Sequence, residues 1–154
     1  MSTSAPQART LAFQGVANRV VRGVLRTPLL SRLAGRRLMT IYVVGRKTGR
    51  QFSVPVAYTR DGDHLLVGTS FAWARNLRTG EPVDIRLEGR RRSADVVVVT
   101  DEAGVVADYT VIARGNRPFA GFNSIALDAA GEPAAADVHR CWSDGARTLR
   151  LTPR

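Results

Sequence analysis

The 154-residue chain predicts a β-rich α+β fold: five to six mostly antiparallel strands wrapped into a closed or split β-barrel, with flanking helices. Three observations predict it. Apolar, β-branched runs of strand length recur between residues 38 and 100, separated by turns bearing Gly and Asp. There is no βαβ alternation, no Gly-x-Gly-x-x-Gly and no Walker pattern, which argues against a Rossmann fold or a P-loop. A long antiparallel meander must also hide its edges, and barrel closure hides them. Residues 1–154 read as one domain: a basic helical segment over 1–37, a barrel core over 38–100, and helices with a last strand over 101–154.

Residues 8–25 set Leu11, Val16, Val20, Val21 and Leu25 at helical spacing, with arginines largely between them. Pro28 opens a second short helical piece. A basic amphipathic helix of this kind packs across a sheet or lies on an anionic membrane surface, and the packed placement is favoured. Strands are expected at 38–44 and 51–59, joined by the turn "GRKTGR" of residues 45–50. Pro55 marks the second as an edge strand or a bulge. "RDGD" (60–63) is a hairpin turn into a strand at 64–70. Residues 72–80 fit a short helix ending at Gly80. Residues 83–88 alternate apolar and polar, and a Gly-Arg turn leads to a long strand over 91–100. Asp101 is a candidate cap for a helix over 101–116. "NRPFAGFNS" (116–124) reads as irregular, "SIALD" as a short strand, "EPAAADVHRCW" as a short helix and "RTLRLTP" as the last strand.

Charge is unevenly spread. Residues 1–60 hold 11 basic residues and no acid, so the formal +10 is +11 from that part and −1 from the rest. Such polarity steers anions toward one region, whether nucleic acid, membrane or an anionic small molecule. Specific nucleic-acid binding is not expected, because aromatic residues are only 6% and mostly lie away from the basic turn. Cys141 is the single cysteine, which excludes an intrachain disulfide, and with His139 it supplies too few ligands for a metal. No apolar run reaches the roughly 18 residues that span a bilayer. The first residues lack the apolar core of a secretory signal, so a cytoplasmic protein is expected.

The chemistry concentrates in two stretches. In "GRKTGR", a glycine-flanked turn aims backbone N–H groups into a concavity that suits an anion. Arg46, Lys47 and Arg50 add charge and Thr48 adds a hydroxyl, a donor set for phosphate or carboxylate. Lys47 is the only lysine among 23 basic residues, either an accident of an Arg-rich chain or a place that wants a compact ammonium. In "WARNL", Trp73 and Asn76 share one face of a short helix, offering a flat wall and an amide to a polar ring; the alternative for Trp73 is a core anchor. Tyr58 and Tyr109 are candidate proton donors.

A strand, G-R-K-[ST]-G, a second strand with Pro, Y-x-R-D-G-D, a third strand, then W-x-x-N-L and another strand: taken together, this resembles the flavin/deazaflavin oxidoreductase superfamily. Within it, the pattern over roughly residues 38–100 is similar to the F420-dependent, nitroreductase-like branch. The resemblance implies a split β-barrel with F420 (FMN as the alternative) in a groove beside it. It implies that Arg46, Lys47, Thr48 and Gly49 meet the cofactor phosphate, that Trp73 and Asn76 lie near the deazaflavin, and that Gly45, Arg50, Val54, Pro55 and Leu77 complete the contacts. Ser70 matches a position near the transferred hydride and joins Tyr58 as a catalytic candidate. The implied activity is hydride transfer from reduced F420 to a quinone, enone or nitro-type acceptor; the alternative is a binder or carrier of F420, flavin or a tetrapyrrole-like ligand without turnover. Members with this barrel are often homodimers. Two departures stand out. Phe52 occupies the place where the family motif often has a further Arg, which leaves Arg50 as the substitute or the phosphate more weakly held. The stretch from Ser70 to Trp73 is also shorter than in the nitroreductases, which alters access to the ring.

Overall fold

The computed structural model describes residues 37–154. The basic helical segment expected over 1–37, and the membrane contact weighed for it, lie outside the described residues apart from Arg37.

Seven strands build one sheet: β1 (Leu38–Val44), β2 (Gln51–Ala57), β3 (Thr59–Asp61), β4 (His64–Thr69), β5 (Val83–Leu87), β6 (Arg90–Val99) and β7 (Arg147–Pro153). Their order is β2-β1-β5-β6-β7-β4-β3, and every pairing is antiparallel. The two edge strands, β2 and β3, are joined in sequence by Tyr58 alone. One residue cannot cross a flat sheet of this size, which at about 4.8 Å per strand spacing would be roughly 29 Å wide. The sheet has therefore curled until its edges meet, giving the expected split β-barrel. The count exceeds five to six for a local reason. The stretch expected as one strand over 51–59 divides at Tyr58: its N–H still donates to the Arg37 carbonyl at 2.8 Å, in register with β1, and Thr59 then pairs with Leu66 on β4. "SIALD" contributes only an isolated bridge between Leu127 and Pro133.

Alternation fills the barrel. β1 buries Met39, Ile41 and Val43, and β5 buries Val83, Ile85 and Leu87 while exposing Asp84 and Arg86. Leu65, Val67, Ala94, Val96, Leu149 and Leu151 complete that interior. Pro55 sits on edge strand β2 opposite Thr40, where a missing N–H removes no inner ladder bond.

A second core lies between the sheet and three helices, α1 (Glu102–Gly115), α2 (Arg117–Phe122) and α3 (Ala135–Ser143). Asp101 caps α1 as expected, accepting from the Gly104 N–H at 2.9 Å. Residues 116–124 are not irregular throughout. Asn116 accepts from the Phe119 N–H at 3.0 Å and Pro118 occupies the first turn, so a cap and a proline start α2. Gly68 on β4 lets this layer approach: a Cβ there would stand 2.7 Å from Tyr109 Cε1 and 2.9 Å from Phe119 Cζ.

Tyr109 lies fully buried in this layer, and its hydroxyl has no hydrogen-bond partner among the described residues. Burial, with a lesser contribution from Cys141, pushes its phenol up, and burial pushes the Cys141 thiol up as well. Both groups are acids held neutral by folding. Their contribution to stability is complete below the ordinary thiol and phenol ranges, about 8.5 and about 10, and is lost as pH rises above them. Tyr109→Phe deletes the unsatisfied hydroxyl. We expect it to match or exceed the wild type by up to about 1 kcal/mol at neutral pH, and to lose less stability between about pH 9 and 11. Urea unfolding across that range checks this; a clearly less stable Phe variant would show that the hydroxyl is satisfied.

Candidate functional site

The β1–β2 hairpin ends in the GRKTGR turn. The Gly45 N–H donates to the Arg50 carbonyl and the Gly49 N–H to the Gly45 carbonyl, both at 2.8 Å. Gly49 holds φ at +69°, a region that favours glycine. The Arg50 N–H donates to Thr48 Oγ1 at 3.3 Å, and the Arg46 N–H donates to Asn76 Oδ1 at 3.1 Å. These amides are engaged inside the protein, so the turn is not the open nest of N–H groups its glycines suggest. Its capacity for an anion rests mainly on the exposed side chains of Arg46, Lys47 and Arg50.

The second motif forms a 3-10 helix over Ala72–Asn76, ending four residues before Gly80. At three residues per turn, Trp73 and Asn76 align on one face. Asn76 Nδ2 donates to the Trp73 carbonyl at 3.0 Å while its Oδ1 accepts from the turn. One amide thus ties together two motifs 30 residues apart. Trp73 is half-buried and packs on the barrel interior, so it anchors the core along one side.

Between the turn and the segment 76–84 lies a cleft of about 610 Å³, in the size range of small-molecule sites. Its floor is the outer face of β1 and β5, where Tyr42 stands opposite Asp84. Arg86 Nε donates to Tyr42 Oη at 3.1 Å, and the Arg91 guanidinium carbon lies 4.2 Å from the ring centroid. Arg91 Nη2 also donates to Asp84 Oδ2 at 3.1 Å. Across the cleft, Arg46 Nη2 donates to Glu81 Oε2 at 3.2 Å.

Of the residues singled out in the sequence, Gly45, Arg46, Gly49, Asn76 and Leu77 line this cleft. Lys47, Thr48 and Arg50 belong to the same turn but not to its walls. Val54 and Pro55 are half-buried on β2, with Val54 against the barrel interior. Tyr58 is buried just past the end of β2, roughly 26 Å from the turn by strand rise, and does not reach the cleft. Ser70 is exposed beyond the end of β4 and is not one of the cleft walls. Nor does it cap the 3-10 helix: Thr69 Oγ1 accepts from the Phe71 N–H at 3.0 Å instead. Tyr109 belongs to the helix layer.

Sequence reading missed Tyr42, Arg78, Glu81 and Asp84. Tyr42 had a signal: it alternates with buried Ile41 and Val43, which puts it on the outer face beside the turn. Glu81 had none, because its meaning comes from a contact 35 residues away. Among the described residues no cluster of three His, Cys, Asp or Glu side chains suits a metal, and no helix is long and apolar enough to cross a membrane.

Comparison with known proteins gives a family and a fold. The family model described as F420H(2)-dependent quinone reductase matches residues 18–118. Among solved structures, the heme storage protein HutZ from Vibrio cholerae is similar over 82% of this chain and 89% of its own, at 16% identity and a TM-score of 0.52. A pyridoxamine 5'-phosphate oxidase-related, FMN binding protein from Nostoc punctiforme is similar over 79% of this chain and 74% of its own, at 14% identity and a TM-score of 0.50. At these identities the two likenesses concern the fold. No curated protein matches the chain.

Proposed function

The chain belongs to the F420H(2)-dependent quinone reductase family, and from that premise we propose that it passes a hydride from reduced F420 to a quinone. Enone and nitro-type compounds are the further acceptor classes. The observation that supports this most is the Asn76 amide, which fastens the cationic turn to the tryptophan-bearing 3-10 helix along one side of a single cleft. The residues suit a long polyanion with a polar ring at one end. Arg46 and Lys47, backed by Arg50 and Thr48, hold the phosphate, with Gly45 and Gly49 giving it close approach to the backbone. Arg78, also in the cleft wall, adds a fourth cation. Leu77 gives the ring an apolar wall. Trp73, which packs on the barrel core and is not itself a cleft wall, backs it from the 3-10 helix, and Val54 and Pro55 belong to the neighbouring strand β2.

When bound in its reduced state, F420 supplies the hydride. The protein binds, orients and excludes water. Tyr42 is the phenol best placed to hydrogen-bond a ligand in the cleft, since Arg86 donates to its oxygen and leaves its own proton to give. Ser70 keeps a role only if the acceptor enters from the end of β4.

Titration with F420 and FMN tests the cofactor assignment. F420 is expected to bind at least tenfold more tightly, a difference of about 1.4 kcal/mol. Mixing with reduced F420 and menadione should restore the absorbance of oxidised deazaflavin. Equal or reversed affinities refute the cofactor assignment. Tight F420 binding with no turnover on any quinone, enone or nitro compound makes the protein a carrier.

A further inference from the structure

We infer that Glu81 is a specificity-determining residue of the cleft: its carboxylate competes with incoming anions for the Arg46 guanidinium, so that only a ligand bearing several charges is admitted. This rests on the reading of the turn as an anion site.

Both partners stand on fixed backbone. The Arg46 N–H is held by Asn76. On the other wall, the segment carrying Glu81 is fastened to β6 beyond the end of β5. There the Gly80 N–H donates to the Val96 carbonyl at 3.1 Å, and the Val98 N–H donates to Thr79 Oγ1 at 2.9 Å. The Glu81 N–H closes a turn on the Arg78 carbonyl at 3.1 Å. With the backbones pinned, the Arg46–Glu81 contact breaks only by movement of the two side chains, 32% and 62% exposed. An exposed pair of this kind is weak and exchanges readily.

The exchange is selective by charge. A monocarboxylate replacing Glu81 on Arg46 trades like for like and gains nothing, while meeting repulsion from Glu81 and from Asp84 on the floor. A polyanion such as F420, which reaches Arg46 together with Lys47, Arg50 and Arg78, gains from several cations at once and displaces the carboxylate. Glu81 thus lowers affinity for every anion but excludes the singly charged ones.

The test is a double-mutant cycle on the full chain with F420 as ligand. Glu81→Gln keeps the shape and removes the charge, and F420 is expected to bind three- to tenfold more tightly. In an Arg46→Gln background the same substitution should change affinity less than twofold, because there is no guanidinium to compete for. Glu88→Gln, which breaks an exposed pair with Arg60 at 3.3 Å, should leave affinity unchanged. No gain from Glu81→Gln, or an equal gain in both backgrounds, overturns the competition and leaves only net charge. If the wild type does not bind F420, the cofactor assignment fails, and the same cycle with pyrophosphate decides Glu81 separately: absence of a gain there overturns it too.

Discussion

Asp108→Ala should destabilise the protein by about 3 kcal/mol, the lower end of what removing one partner of a buried ion pair costs. Asp108 is 5% exposed in α1 and reaches β7. Its Oδ2 accepts from Thr148 Oγ1 at 2.7 Å and from Arg150 Nε at 2.9 Å, and its Oδ1 accepts from Arg150 Nη2 at 3.0 Å. The bidentate contact holds the Arg150 proton more firmly than usual. Truncation leaves the fully buried Thr148 hydroxyl without this acceptor and a partly buried guanidinium unpaired. The lower end applies because Arg150 is about a third exposed (35%) and water can reach it. Asp108→Asn should cost less, since an amide oxygen still serves one donor. The network lies on the helix side of the barrel, away from the cleft, so F420 affinity of the folded variant should not change. Urea unfolding measures the loss; a loss under about 1 kcal/mol would mean that the docking of α1 rests on apolar packing alone.

The strands were legible because burial imposes a period of two. β5 reads inside and outside without ambiguity, and the barrel was expected because closure hides the edges of a long antiparallel meander. What was not legible depended on single hydrogen bonds. Nothing in "QFSVPVAYT" says that the chain leaves β1 after Tyr58, because the division is set by Thr59 pairing with Leu66 on β4. The α2 helix hid behind a glycine and a proline, although Asn116 with Pro118 is a start signal. At the site, the two motifs were readable as types, and their union through Asn76 was not. An amide offers donor and acceptor to any partner, and sequence alone let a ring claim what the Arg46 N–H and the Trp73 carbonyl take. Tyr58 was attractive as a phenol in a motif, but β1 separates it from the turn by its full length.

Replacing both Arg46 and Lys47 by alanine should weaken F420 binding by about 3 kcal/mol, roughly 150-fold in Kd, taking about 1.5 kcal/mol for each hydrogen bond to a charged group. Lys47→Ala alone should give about half of that free energy. The turn should survive. Its shape comes from Gly45 on Arg50, Gly49 on Gly45, and the Arg46 N–H on Asn76, all of them backbone donors that alanine keeps. Among the described residues the one ion pair of either side chain is Arg46 with Glu81, an exposed contact. Stability should therefore stay within about 0.5 kcal/mol, as for other surface substitutions. Higher salt should narrow the gap between variant and wild type, because the lost interactions are screened charges on an exposed turn. Isothermal titration at two ionic strengths reads both numbers. Unchanged affinity at low salt would show that the cofactor's anion binds elsewhere. A fall in melting temperature with affinity intact would make the turn a structural element of the β1–β2 hairpin. A loss confined to low salt, with turnover intact at saturating F420, would mean that the cations attract the cofactor without orienting its ring, leaving that task to Trp73, Asn76 and Leu77.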